Sequence, residues 1–299
     1  MPATGREVFS GVNLNGALAL GLELENLPQC VRYWQLTIYI AVAGAMLIFY
    51  DWFLTSADEV DFLWRGDKRP YVRIPFFLAR YPALASAIVE LLPVRAVPHQ
   101  PDVTRTNVMM FLRVVSIMAS EVILLMRTWA IWGRSRPMFI FLAIFSTACM
   151  ITAVAIAGRD VATTRTAVII PIATDNVSEQ CHLLTSAVGH LWVVPYLFLI
   201  VLEALVLSLT LYKVLQLHKG TQMRPKSKLL DALWIDGVMY FVFMLTLSTL
   251  NVALVLQVSD PQLRRGGTQM QTVFHSMLST RIVLHIAATV KQSQGLIVS

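Results

Sequence analysis

The chain has 299 residues, of which 56% are hydrophobic and only 14% charged. Soluble domains carry about 25% charged residues, so this composition excludes an ordinary water-soluble domain. The net charge of +6 at pH 7 does not indicate nucleic acid, because the Lys and Arg residues gather at the ends of apolar segments and in one loop, as orientation against a cytoplasmic membrane face requires.

About 20 mostly apolar residues, rising about 1.5 Å each, cross a hydrocarbon core of about 30 Å. Seven segments meet that length. Residues 1–31 form an extracellular or lumenal tail. Its apolar run, Ala17 to Leu22, is short and is followed by Glu23 and Glu25, so it is a poor signal peptide. The first span, Tyr33–Thr55, serves as the insertion signal and carries Asp51 near its end. A connection with the acidic cluster Asp58-Glu59-Val60-Asp61 leads to Tyr71–Leu92, which contains Arg80, Pro75 and Pro82. Val108–Trp132 brings Glu121 and Arg127, and Pro137–Gly158 contains Cys149. Ala187–Val214 carries Glu203 and Pro195, Leu230–Gln257 carries Asp236, and Met270–Val290 carries Arg281. The expected fold is all-α: a seven-transmembrane helix bundle spanning residues 32–291, with a short cytoplasmic tail at 292–299.

Basic residues set the orientation. With the N-terminus outside and the C-terminus cytoplasmic, thirteen Lys and Arg lie in or beside the inner connections and eight on the outer side, the bias expected of a membrane protein. Asn176-Val177-Ser178 is an acceptor sequence for N-glycosylation, usable only where the fourth-to-fifth loop faces the lumen or exterior. Cys30 and Cys181 then share the oxidising side, as a disulfide or as two free thiols. Trp129, Trp132, Tyr212 and Trp234 fall near span ends, where aromatic residues favour the interface.

A charge at the bilayer centre costs about 2.5–3.5 kcal/mol on insertion scales, so each needs a partner, a wet cavity or an interface. Asp51, Arg80, Glu121, Arg127, Glu203, Asp236 and Arg281 lie at the midplane or in the cytoplasmic half, four carboxylates and three guanidiniums from six helices. They form a candidate intramembrane polar network. Glu121 and Arg127 are six residues apart, roughly 120° around a helix, which points to pairing between helices rather than within one. Such a network reads either as glue that fixes helix order or as a switch or relay. One acid is in excess of the arginines, left to carry a proton or a cation, and Glu203, flanked by Leu202, Ala204 and Leu205, is the candidate. Glu90 and Arg113 lie further out, where they can meet each other.

Several of these charges sit in longer blocks. Tyr50-Asp51-Trp52-Phe53-Leu54-Thr55, Asp58-Glu59-Val60, Trp64-Arg65 and Arg80-Tyr81 come first, and the block from Glu121 through Arg127-Thr128-Trp129 to Arg136 follows. Asp236-Gly237-Val238-Met239-Tyr240-Phe241 and Arg281-Ile282-Val283-Leu284 complete the set. In this order, over about 30–290, the chain resembles the fungal, largely basidiomycete, seven-span membrane family catalogued as domain of unknown function 6533. The resemblance implies a seven-helix membrane protein with no established biochemical activity. Two departures stand out: Val94–Asn107 lacks the cysteine that members often carry in the second-to-third loop, and span seven ends Leu284-His285-Ile286-Ala287 rather than in leucine-asparagine-leucine-arginine.

Three functional classes remain, a receptor-like role standing ahead of transport. A receptor-like heptahelical sensor matches the N-out plan, Arg127 near the inner end of span three and the basic Leu215–Leu229 loop; but Met126 precedes that arginine and span seven has no Asn-Pro-x-x-Tyr element. A transporter or an ion- or proton-coupled protein matches the intramembrane charges. A membrane enzyme finds little support: the chain has no phosphate-binding glycine loop, no nucleophile elbow and no Cys-x-x-Cys. Its six histidines show no paired ligand spacing, so no metal and no cofactor is expected. The expected partners are the lipid bilayer and, at Lys219, Arg224, Lys226 and Lys228, anionic lipid headgroups; the expected location is the plasma membrane or a secretory-pathway membrane.

Overall fold

A computed structural model describes residues 14–65, 70–92, 103–168, 193–220, 228–257 and 261–298. Among them are seven α-helices and no strand: α1 (Leu14–Glu59), α2 (Pro70–Leu91), α3 (Val103–Ile131), α4 (Arg136–Val168), α5 (Val193–Gly220), α6 (Lys228–Gln257) and α7 (Pro261–Val298). Stretches of the first five, Ile38–Trp64, Tyr71–Leu91, Asn107–Ile131, Arg136–Ile156 and Val193–Lys213, are long and apolar enough to cross a membrane, and α6 contributes a shorter apolar stretch, Val238–Leu254. Large apolar side chains cover the outside: Tyr39, Met46, Phe53, Phe111, Ile144 and Met239 are all more than 60% exposed. In water so much exposed apolar surface would drive aggregation; in lipid it is the solvent-facing surface.

The helix that sequence apolarity ranks lowest stands at the centre. α7 contacts α1, α2, α3 and α6, and its polar residues point inward. Gln271, His275 and Ser279 recur every four residues and are fully buried, as are Thr272, Ser276 and Thr280 beside them. A four-residue repeat keeps one helix face in register, so α7 presents a polar stripe to its neighbours rather than to lipid.

Close approach makes room for this core. Ala79, Ala83 and Ala87 form a buried stripe on α2; Ala83 and Ala87 pack with Ala45, Ile48 and Val273, and Ala79 with Ala119 and Ile123. Small residues let helix backbones approach in membranes, and here Ser116 on α3 donates to the Ala79 carbonyl at 2.6 Å, in the turn before Pro82. Gly267 at the start of α7 faces α6 so closely that a Cβ would lie 2.5 Å from the Asn251 side-chain oxygen.

Two ends differ from the expected spans. α1 begins at Leu14, well ahead of Tyr33, and does not stop at Thr55. It continues to Glu59 and then widens into one π-helical turn, Val60–Trp64, closed by Arg65 N–H donating to the Val60 carbonyl at 3.0 Å. The acidic cluster is therefore helical, and Glu59 is buried. The α3–α4 turn is tight, with Gly133 and Arg134 both left-handed at φ 66° and 57°; the first suits glycine and the second is a strained position for arginine.

Candidate functional site

Charged residues form two main clusters around buried acids. The first joins α1, its π turn, α2 and α7. Arg80 reaches Glu59 at 3.1 Å, donates to Thr55 Oγ1 at 2.6 Å and to the Trp52 carbonyl at 3.2 Å. Glu59 also accepts from the Tyr81 hydroxyl at 2.8 Å and from Trp64 Nε1 at 3.1 Å. Residues 59 and 64 would lie about 140° apart on an α-helix; the π turn, which bonds residue i to i+5, brings Trp64 over Glu59. Asp51 meets Arg281 of α7 at 2.5 Å. Each acid thus faces a guanidinium, and Glu59 has two further donors.

The second cluster lies about 9 Å further along α7, where α3, α5, α6 and α7 meet. His275 stands between two glutamates: Nδ1 is 3.5 Å from Glu121 Oε1 and Nε2 is 3.2 Å from Glu203 Oε1. All three side chains are essentially inaccessible. One ligand atom from each lies within 4.8 Å of the others. No described Arg or Lys is paired with either glutamate. Among the described residues, neither imidazole nitrogen, neither Glu121 oxygen nor Glu203 Oε2 has a hydrogen-bond partner. Glu203 Oε1 is held by Ser248 at 3.1 Å, Ser248 by Gln271 at 2.9 Å, and Gln271 by Asn251 at 2.5 Å. This side-chain relay fixes the Glu203 carboxylate against α6 and α7. On the other side the apolar layer of Leu124, Val206, Tyr240, Phe241 and Met244 closes the site. The Tyr240 hydroxyl, buried and without a hydrogen-bond partner among the described residues, lies within electrostatic range of both glutamates. Its ring also lines a surface hollow of about 610 Å³, bordered by Met239, Phe243, Phe274, Leu278, Arg281, Ile282 and His285.

Of the residues singled out from the sequence, Asp51 and Arg281 meet directly, Arg80 joins them through the shared cluster, and Glu121 and Glu203 come together elsewhere. Arg127 is buried on α3, also within electrostatic range of Tyr240. Asp236 lies in α6, but its side chain is outside the described residues, as are those of Cys30, Asn176 and Cys181 and most of the basic Leu215–Leu229 loop. Glu90 and Arg113 meet at 2.6 Å, and Arg105 caps the end of α2 by donating to the Val89 and Glu90 carbonyls. Two members of these clusters are not marked by a charge within an apolar span: Glu59 belongs to the acidic connection after the first span, and His275 has no second histidine at ligand spacing. The signal for His275 was its place at the centre of α7's polar four-residue repeat.

Residues 39–85 match the model of a family of unknown function, DUF6533. The matched segment is the α1–π–α2 hairpin and contains Asp51, Glu59 and Arg80; it does not include Glu121, Glu203 or His275. No curated protein and no solved structure matches the chain.

Proposed function

We propose that the chain is a seven-span membrane protein, N-terminus outside and C-terminus cytoplasmic, that works as a cation-coupled transporter through the Glu121–His275–Glu203 centre. One observation carries this reading: two fully buried carboxylates converge on one histidine with no paired arginine or lysine among the described residues. Isolated charges in a low-dielectric interior are costly, and intramembrane acids that face a bundle interior mark ion paths. A cation held between the two acids offsets that cost. The hollow beside Tyr240 offers the near approach, in the cytoplasmic half in this orientation. α7 then counts as a span despite its polarity, because four helices shield it from lipid, and residues 1–31 lie outside.

Purified chain reconstituted into dye-loaded vesicles tests the reading with Na⁺, Mn²⁺ or Zn²⁺ applied outside. The expected result is uptake of one of these ions above that of empty vesicles, lost in Glu203→Gln. Uptake that matches empty vesicles for all three ions removes the transport reading. A receptor-like sensor is the second reading; it rests on the seven-helix plan, which is an associational warrant. In the proposed orientation Asn176 and the Cys30 and Cys181 thiols face the exterior or lumen of a plasma or secretory-pathway membrane, and the basic loop faces anionic lipid.

A further inference from the structure

We propose that Glu121, Glu203 and His275 bind one divalent first-row transition-metal ion of the zinc and manganese class. The inference rests on the reading of this centre as a cation site, and it names the cation.

The ligand chemistry carries the argument. Calcium takes about 6–8 oxygens, and magnesium keeps most of its water; a site of one imidazole and two carboxylates suits neither. Imidazole favours zinc, copper, iron and nickel, while carboxylate extends the range to manganese. Zinc binds histidine nitrogen at about 2.0–2.1 Å and carboxylate oxygen at about 2.0–2.2 Å. In a tetrahedral arrangement those lengths hold two ligand atoms roughly 3.3–3.5 Å apart. His275 Nε2 and Glu203 Oε1 are 3.2 Å apart, and Nδ1 and Glu121 Oε1 3.5 Å. Either separation matches two ligands of one ion, which binds through only one of the two ring nitrogens, and neither contact has the alignment of a hydrogen bond. One nitrogen of His275 and one oxygen from each acid already lie within 4.8 Å of one another, so a small closure of side chains completes the site. A divalent ion also balances the two carboxylates, leaving a neutral centre behind the apolar layer.

Two features set the kind of site. Three protein ligands leave a coordination position open, the arrangement of exchangeable and catalytic ions rather than of closed structural ones. Ser248 holds Glu203 and is itself held by Gln271, the outer support that orients metal ligands and tunes affinity.

The test uses full-length chain in lipid nanodiscs, stripped with chelator and titrated with Co²⁺ as a spectroscopic probe, then with Zn²⁺. Expected are an intense visible cobalt band of a low-coordinate site, its displacement by zinc, and one zinc per chain after gel filtration. Glu203→Gln and His275→Gln lose the band and the bound zinc. Ser248→Ala, which keeps every ligand, lowers zinc affinity by about 10–100-fold. Melting with and without zinc reads folding separately: zinc raises the wild-type transition and leaves that of Glu203→Gln unmoved. The wild-type spectrum needs no variant, so a variant that fails to fold does not blunt the test. The pale spectrum of aqueous cobalt with wild-type chain, or full zinc retention by Glu203→Gln, overturns the site. Stoichiometric zinc without vesicle uptake keeps the site and removes transport; uptake of Na⁺ without metal binding does the reverse.

Discussion

The hairpin cluster around Arg80 and the central cluster around His275 both hold buried carboxylates, yet they are opposite in electrostatic design. At the hairpin both buried acids, Asp51 and Glu59, face a guanidinium, and Glu59 has the Tyr81 hydroxyl and the Trp64 indole as well. At the centre two acids share one histidine, and among the described residues three of their four carboxylate oxygens have no hydrogen-bond partner. A satisfied polar network rigidifies a fold, whereas a partly satisfied one carries a standing cost. The hairpin therefore reads as the element that locks helix order, and the centre as the place left for an occupant. That the family match covers the hairpin and stops before α3 agrees with the hairpin being the recurrent part of the architecture.

The contrast can be broken from either side. Arg80→Ala leaves the buried Glu59 without its guanidinium; losing one partner of a buried pair costs about 3–5 kcal/mol, read as a large drop in thermal or denaturant midpoint in nanodiscs. Tyr81→Phe removes one hydrogen bond to a charged acceptor and should cost about 1.5–3 kcal/mol by the same measurement; the lower end applies because Trp64 and Arg80 stay in place. Gly267→Ala puts a Cβ against the Asn251 side-chain oxygen. Overpacking of this kind costs about 1–3 kcal/mol, and by displacing Asn251 it should weaken zinc binding at a site it does not touch.

Charge removal at the centre should run the other way. Glu121→Gln in metal-free chain takes away a buried like charge beside Glu203, so its midpoint should equal or exceed that of wild type, while a drop comparable to that of Arg80→Ala would place the two clusters in the same structural role. The smallest effect belongs to the exposed Arg65–Asp61 pair at 3.7 Å: Asp61→Ala should shift stability by less than about 1 kcal/mol, because solvent screens such pairs.

Much of the fold was legible in the sequence, for a simple reason. A lipid-facing helix must be apolar over a fixed length, so α1 to α5 announce themselves by hydropathy and their charged residues stand out against it. Glu90 with Arg113 was legible too, since the end of α2 and the first part of α3 lie on either side of one connection. The burial of Glu59 was not, because it depends on a π turn that linear patterning does not encode, and an acidic cluster beside a basic connection reads equally as a wet loop.

What the sequence by itself determined is the class, a bundle of apolar helices, and the identity of the charges that must be accommodated inside it; burial in hydrocarbon imposes that locally, residue by residue. Only the tertiary structure decided which charges meet. Four helices far apart in the chain bring Glu121, Glu203, Ser248 and His275 to one point, and rotation of each helix about its axis, set by packing against its neighbours, determines whether a carboxylate finds an arginine or a histidine. A lone histidine on a polar stripe becomes a candidate metal ligand only once two acids from other helices face it, and that is a property of packing rather than of spacing.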